Sequence, residues 1–184
     1  MQILRQAGYR SVPWRNGAGQ TSEIMVFPEG AAAEDAEWRI SMAPVTTDGL
    51  FSTFPAIDRI LTIIEGAGME LTVGGRPPVL LSDAPFAFPG DAICTARLTR
   101  GPIIDLNVMT RRGNWQAVVH HAQHFIPDAS ASHHLIFAAH GPVTCQVAGE
   151  TVDLNPRDTL WLSADDTGAC TCSGRWLDIR LIAA

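Results

Sequence analysis

Hydrophobic residues occur along the chain in short runs rich in β-branched and aromatic side chains, and glycine or proline separates one run from the next. Runs of about four to eight such residues bounded by turn formers are typical of β-strands. No long stretch has the spacing of an amphipathic helix. The predicted strands are Ile24–Phe27, Trp38–Met42, Ile60–Ile64, Val79–Leu81, Ile103–Met109, Leu135–Ala138, Val143–Val147, Thr159–Leu162 and Trp176–Ile182. The sequence therefore predicts an all-β protein.

Several strand-like runs carry polar residues at alternate positions, where a core strand would be apolar. These positions are Thr21, Glu23, Arg39, Ser41, Arg59, Asp105 and Asn107. Side chains two residues apart lie on the same face of a strand, so each pair can point into one interior. The pattern predicts a β-structure with a polar lumen.

A weak internal repeat indicates two such structures. The segments from Gly68 to Asp91 and from Gly141 to Asp158 each contain a strand, a glycine turn and a Pro-x-Asp turn that leads to another strand. Units of this kind recur in cupin barrels, which are double-sheet jelly rolls. We expect residues 1–115 to form one cupin-like half and residues 116–184 the other, within one compact protein.

Composition and charge limit the classes of partner. The chain has 184 residues, a formal net charge of -6 and a pI near 5.4. Nucleic acids and anionic membranes select for clustered basic residues, so we expect neither as a partner. All 13 basic residues are arginine, which excludes mechanisms that need a lysine amine. Residues 1–10 lack a signal-peptide pattern, and no apolar run approaches the roughly 20 residues that span a bilayer, so we expect a cytoplasmic protein.

Histidine and cysteine residues do not form a recognisable metal-binding motif. All 6 histidines lie between His120 and His140, where the two halves join, and we interpret the neighbouring segment Pro127–Ser132 as an exposed loop. A cupin metal site uses a His-x-His segment, which the chain lacks. Cys94, Cys145, Cys170 and Cys172 have neither the spacing of a disulfide framework nor that of a zinc site. We predict no metal, no cofactor and reduced thiols.

The charged residues in the predicted strands permit two interpretations. A guanidinium such as that of Arg39 or Arg59 on an apolar strand must be paired within the protein or must bind an anion. The possible partners are Glu23, Asp48, Asp58 and Asp105, and two of these carboxylates would form an acid/base pair if they converged. Asn16 lies in an Asn-Gly turn after Trp14, where a plain hairpin and a ligand-binding loop are both consistent with the sequence.

Several segments together resemble the HutD/Ves family of bicupin proteins. They are Pro13–Thr21, Trp38–Ala43, Asp48–Pro55, Ile57–Arg59, Pro85–Asp91 and Gly101–Gly113. The resemblance covers residues 1 to about 115, whereas the C-terminal half agrees only in length and in the segment Leu154–Leu162. It implies two cupin-like jelly-roll β-barrels in one cytoplasmic chain, which is often dimeric. It also implies a link to histidine utilisation and a pocket for small carboxylates, without an established catalytic activity.

The matching motifs suggest which residues line that pocket. The ligand-binding residues would be Asn16, Thr21, Glu23, Arg39, Ser41, Arg59, Asp105 and Asn107, with Trp14 and Phe54 as walls. Our leading hypothesis is a non-catalytic or regulatory protein that binds formylglutamate, formate or urocanate through Arg39 or Arg59. The alternatives are a metal-independent enzyme with Glu23 or Asp105 as general base, and a protein-binding subunit with an empty lumen.

Overall fold

Strands make up most of the regular structure in the computed structural model, which describes residues 1–14, 19–168 and 170–184. In chain order they are β1 (Gln2–Leu4), β2 (Arg10–Pro13), β3 (Gln20–Phe27), β4 (Trp38–Val45), β5 (Gly49–Leu50), β6 (Ile57–Glu65), β7 (Met69–Val73), β8 (Val79–Leu81), β9 (Phe86–Pro89), β10 (Cys94–Leu98), β11 (Ile103–Arg111), β12 (Trp115–Ala122), β13 (His133–Phe137), β14 (Val143–Val147), β15 (Glu150–Leu154), β16 (Thr159–Leu162), β17 (Cys170–Ser173) and β18 (Trp176–Ala183). A 3-10 helix, Gln6–Gly8, and a one-turn helix α1, Ala164–Thr167, complete the regular elements of these residues. The predicted all-β class is confirmed.

Each strand predicted from a hydrophobic run is present, with small differences at the ends. The strands that the sequence analysis omitted are mostly short or polar, such as β1, β15 and β17. The expected loop Pro127–Ser132 is confirmed, since it lies between β12 and β13 and is mostly exposed; His120 and His121 lie on β12, and His133 and His134 lie on β13. In the described residues no helix has the length and the apolar composition needed to cross a membrane.

The chain divides into two compact units. The N-terminal unit is Arg10–Trp115, and the C-terminal unit consists of Met1–Tyr9 together with Gln116–Ala184. Residues 1–9 were expected in the N-terminal half, but they belong to the C-terminal unit because β1 pairs antiparallel with β16. Arg5 also contributes, since its Nη1 donates to the Asp158 carboxylate at 2.8 Å.

The N-terminal unit contains two antiparallel sheets. The strand order is β2-β3-β4-β11-β6-β9 in the six-stranded sheet and β5-β10-β7-β8 in the four-stranded sheet. Hydrophobic residues from both sheets form one buried cluster, which comprises Leu61, Ile63, Met69, Leu71, Leu81, Phe88, Cys94, Ala96 and Ile103. Two sheets that pack face to face in this way enclose an interior between them.

The C-terminal unit repeats the strand order of the N-terminal unit. Its five-stranded sheet runs β1-β16-β13-β18-β12, and its three-stranded sheet runs β15-β14-β17. The order β16-β13-β18-β12 therefore matches β9-β6-β11-β4, and β17-β14-β15 matches β10-β7-β8. The two segments aligned in the sequence lie within this repeat, so β11 and β18 occupy equivalent places.

Candidate functional site

The polar positions singled out in the sequence lie on one face of the six-stranded sheet. Directly paired residues of neighbouring antiparallel strands project to the same face. The register pairs Val12 with Thr21, Glu23 with Ser41, Ser41 with Asn107, and Met109 with both Arg39 and Arg59. Leu61, which shares a face with Arg59, belongs to the buried cluster between the two sheets. The polar side chains therefore face the interior of the N-terminal unit.

Burial is nearly complete for these side chains. Thr21, Glu23, Arg39, Ser41, Arg59 and Asp105 are buried, and Asn107 is half-buried. Asn16, the remaining predicted ligand-binding residue, lies outside the described residues. A buried charge is costly unless a partner neutralises it, so the pairing of each charged group decides what the cluster can bind.

Glu23 neutralises Arg39. Its Oε2 accepts a hydrogen bond from Arg39 Nε at 2.7 Å, and its Oε1 accepts one from Arg10 Nη2 at 2.6 Å. The side chains of Glu23 and Arg39 are 5% and 8% exposed, whereas that of Arg10 is 56% exposed. Both carboxylate oxygens of Glu23 are thus occupied, and Arg39 has its counter-charge within the protein.

Arg59, unlike Arg39, has no carboxylate counter-charge in direct contact among the described residues. Its guanidinium forms no ion pair with any described residue, and its hydrogen bonds are long, at 3.4 Å from Nε to Asn107 Oδ1 and 3.3 Å from Nη1 to the Ser52 carbonyl. Burial lowers the pKa of Arg59, and the charge of Asp105 acts in the opposite direction. Arg59 is therefore a buried cation without a direct counter-ion in the part of the chain that the structure describes.

Aromatic rings surround the Arg59 guanidinium. Its Cζ lies 5.5 Å from the ring centroid of Phe51, 5.5 Å from that of Phe54 and 5.1 Å from that of Phe88. Each ring presents a negative face that attracts the cation. The predicted wall residue Phe54 is therefore next to Arg59, in an apolar environment where water competes weakly for the charge.

Asp105 is the second unusual group of the cluster. Burial raises the pKa of Asp105 to about 7, although the charge of Arg59 and a hydrogen bond from the Ala43 backbone both favour the ionised form. Near neutral pH the carboxyl group is consequently divided between its protonated and ionised forms. It can supply or accept a proton where an ordinary aspartate cannot.

The other predicted residues have structural partners. Trp14 Nε1 donates to Thr21 Oγ1 at 2.9 Å, which fixes the indole beside the polar face. Asp48 accepts a hydrogen bond from the Leu98 amide at 2.8 Å. Asp58 forms an ion pair with Arg112 at 2.8 Å on the protein surface. Of the four carboxylates considered in the sequence, Asp48 and Asp58 therefore lie away from the interior cluster.

A second buried polar cluster, which the sequence analysis missed, lies in the C-terminal unit. Asp178 occupies in β18 the place of Asp105 in β11, since Asp178 pairs with Ile136 and Asp105 with Ile63. Its Oδ1 lies 2.8 Å from His134 Nε2, and its Oδ2 accepts a hydrogen bond from Arg180 Nε at 2.9 Å. In the sequence, the alternating polar residues Asp178 and Arg180 within Trp176–Ile182 were the signal from which this cluster could have been predicted. Asp178 has direct partners in His134 and Arg180, whereas Asp105 forms no ion pair among the described residues.

The described residues do not bring together the side chains of a metal site. None of them form a set of three or more His, Cys, Asp or Glu side chains placed to hold a metal ion. The four cysteines are free thiols, and the Cys170 and Cys172 sulfurs are 3.7 Å apart. The chemistry shown by the cluster in the N-terminal unit is thus that of arginine, carboxyl, amide and aromatic groups.

Comparison with known proteins identifies the family. A family model described as HutD matches residues 6–177. The chain belongs to the HutD family. It is 36% identical over 191 residues to an uncharacterised 21.2 kDa protein in the hutC 3' region of Pseudomonas putida, covering 100% of this chain and 98% of that protein. It is also 43% identical over 108 residues to protein Ves of Citrobacter koseri, which covers 58% of this chain and 56% of that protein.

Solved structures agree with this assignment. HutD from Pseudomonas fluorescens SBW25 superposes on this HutD-family chain with a TM-score of 0.82 at 34% identity, covering 100% of this chain and 98% of the other. A cupin 2 conserved barrel domain protein from Leptotrichia buccalis has a TM-score of 0.59 at 9% identity, covering 89% and 88% of the two chains. The latter likeness concerns the fold alone. The HutD/Ves resemblance is confirmed, and the fold is cupin-like.

Proposed function

We propose that this HutD-family protein is a non-catalytic, regulatory binding protein for a small carboxylate metabolite. The observation that carries the proposal is the buried guanidinium of Arg59, which forms no ion pair with the described residues. A planar guanidinium binds a carboxylate by donating two parallel hydrogen bonds to it, and such charge-assisted bonds are strong where water is excluded. The ligand carboxylate would provide the counter-ion that Arg59 lacks.

Arg59 is a better candidate than Arg39, although the sequence favoured neither. Arg39 donates its Nε to Glu23 at 2.7 Å, so a ligand there would have to compete with a fixed carboxylate. Asn107 lies within 3.4 Å of Arg59 and offers an amide for a further hydrogen bond. We assign Asn107, Asp105 and Phe54 to the same site, while Thr21, Glu23, Arg39, Ser41 and Trp14 support it from the adjacent strands.

The ligand candidates come from the relatives and from the chemistry of the site. One relative lies in a hutC 3' region, and the structure of HutD from P. fluorescens SBW25 is described as a formate condition. Formate, formylglutamate and urocanate are small carboxylates connected with histidine utilisation, and each presents the group that Arg59 would bind. We propose one of them as the natural ligand.

Architecture and assembly form part of the same proposal. The repeated strand order of the two units supports a bicupin with one jelly-roll barrel in each unit. We further propose a cytoplasmic homodimer, which light scattering on the purified protein would test. The net charge of -6 supports a partner other than nucleic acid or an anionic membrane.

Thermal unfolding with each candidate ligand tests the binding function. At about 100 times the dissociation constant, one-site binding stabilises the folded protein by roughly 2.7 kcal/mol. For a chain of this length that raises Tm by several degrees. We expect such a shift with one of the three compounds in the wild type and its loss in Arg59→Met, because methionine retains apolar volume but cannot bind a carboxylate.

Arg97→Met is the matched control, since Arg97 is 74% exposed on the same unit. It should keep the full ligand-induced shift. A shift that survives in Arg59→Met would place the ligand elsewhere, and the absence of a shift with all three compounds would contradict the proposed ligand class.

One observation favours an enzyme as the second candidate function. An Asp105 carboxyl with a pKa of about 7 has the basicity of a general base that works near neutral pH. Glu23 is less suited, since two guanidinium groups hold it. Conversion of urocanate or formylglutamate that is detectable by NMR and lost in Asp105→Asn would support this candidate, and unchanged compounds despite binding would contradict it.

A further inference from the structure

The buried charges of the described residues in the N-terminal unit do not balance when Asp105 is protonated. Arg39 and Arg59 are buried cations, and Glu23 is a buried anion that Arg39 already pairs with. Arg10 also contacts Glu23, but its side chain is 56% exposed, so water solvates it. Ionised Asp105 would bring the buried charge to zero, and neutral Asp105 leaves one positive charge on Arg59.

We propose that the Arg59 site binds a monoanionic ligand together with one proton, and that Asp105 takes up this proton. The inference rests on the proposed function, because it needs an anion at Arg59. A ligand carboxylate would replace Asp105 as the counter-charge of Arg59. Two carboxylates that share one buried cation cannot both remain ionised without a large electrostatic cost. The proton comes from solvent and resides on the Asp105 carboxyl, so the buried charge stays at zero.

The geometry of the two residues fits this exchange. Asp105 on β11 and Arg59 on β6 lie on the same face of adjacent strands, because Asp105 pairs with Ile63 and Arg59 with Met109. They interact through their charges, and no hydrogen bond joins them among the contacts of the described residues. Asp105 therefore influences Arg59 without a hydrogen bond to its guanidinium, and a ligand carboxylate would replace the long hydrogen bonds that Arg59 donates to Asn107 and the Ser52 carbonyl.

Competing titratable groups are few around Asp105. Besides Asp105, the charged and titratable residues that face this interior in the described part of the chain are Glu23 from β3, Arg39 from β4, Arg59 from β6 and Cys94 from β10. Burial raises the pKa of the Cys94 thiol, which keeps it protonated near neutral pH. The segment from Arg10 to Trp115 contains no histidine, lysine or tyrosine. Asp105 is thus the group of this interior placed to exchange a proton near neutral pH.

Isothermal titration calorimetry with formate tests the coupling, because formate itself stays ionised at neutral pH. Titrations at about pH 6, 7, 8 and 9, each in two buffers of different ionisation enthalpy, give the affinity and the number of protons taken up. We expect near-constant affinity below about pH 6, a loss approaching tenfold per pH unit above about pH 8, and uptake of close to one proton there.

Asp105→Asn should abolish the proton uptake and make the affinity independent of pH. Asp58→Asn, which removes a half-exposed surface carboxylate on β6, should keep the wild-type profile. If Asp105→Asn fails to fold, the proton count of the wild type still decides the coupling.

The two proposals fail in different ways. Formate binding with equal affinity at about pH 6 and 8 and without proton uptake would overturn the inference but leave the binding function intact. A pH dependence that persists in Asp105→Asn would assign the proton to another group and overturn it as well. The absence of formate binding at about pH 6 would overturn the carboxylate-binding function itself, and the coupling with it.

Discussion

Replacement of Glu23 by glutamine is expected to lower the free energy of unfolding by about 3 to 5 kcal/mol. Within the described residues, Glu23 alone supplies a carboxylate contact to Arg39, at 2.7 Å, and both side chains are less than one-tenth exposed. A neutral glutamine amide would leave the Arg39 guanidinium buried without a counter-charge. No other contact of the described cluster would offset the free energy that the desolvation of this charge costs. Chemical denaturation of the variant and the wild type measures the difference.

Glu70→Gln is the matched control for this substitution. Glu70 also pairs with an arginine across strands, but the Glu70 and Arg97 side chains are 44% and 74% exposed and lie 3.7 Å apart. Exposed pairs of this kind contribute less than about 1 kcal/mol. Equal destabilisation by Glu23→Gln and Glu70→Gln would contradict the role assigned to the buried pair.

A double variant separates the charge from the packing. Glu23→Leu together with Arg39→Met removes both charges and retains apolar volume, and buried ion pairs replaced in this way often lose little stability. We therefore expect the double variant to be more stable than Glu23→Gln. If it is less stable, the hydrogen bonds of the pair, including the one from Arg10, contribute more than the burial of charge costs.

The sequence predicted the polar interior well because strand geometry is local. An alternation with period two determines which side chains share a face, so Arg39, Ser41, Asp105 and Asn107 could be grouped without knowledge of the fold. The same reasoning could not distinguish Arg39 from Arg59. Both lie on apolar strands, and only the pairing of β3 with β4 shows that Glu23 reaches one and not the other.

Long-range pairing also explains what the sequence analysis missed. Met1–Tyr9 belong to the C-terminal unit because β1 pairs with β16, which is about 150 residues away in the chain. The buried Asp178 depends likewise on His134 from β13 and on Arg180 from its own strand. In the sequence, neither contact gives a pattern more distinctive than the alternation of polar and apolar residues that other strands also show.

The equivalent aspartates show how one topology can serve two purposes. Asp178 and Asp105 hold the same place in the two units, but among the described residues only the Asp178 carboxylate has side-chain partners at hydrogen-bond distance, His134 at 2.8 Å and Arg180 at 2.9 Å. The C-terminal cluster therefore holds its carboxylate through contacts within the protein, while the buried Nδ1 of His134 has no hydrogen-bond partner among the described residues. The N-terminal cluster keeps a cation and a proton-exchanging carboxyl apart, an arrangement that a ligand can complete.

Asp105 is expected to make the wild type less stable as pH rises from about 5 to 8, and Asp105→Asn to remove much of this dependence. The folded-state pKa of Asp105 is about 7, raised from an ordinary value of 3.8 by burial. Between these values the folded protein holds a proton that the unfolded chain has released. The stabilisation is therefore fully present below the unfolded pKa and is lost as pH rises through the folded pKa.

Each pH unit within that window corresponds to about 1.4 kcal/mol for one group, so the total effect is several kcal/mol in order of magnitude. Thermal unfolding of the ligand-free wild type and of Asp105→Asn at about pH 5, 6, 7 and 8 measures it, and the variant should gain in Tm relative to the wild type at each step. Asp58→Asn should follow the wild type, since Asp58 lies at the surface. A difference in Tm between Asp105→Asn and the wild type that stays constant across this range would show that Asp105 is already ionised in the folded protein.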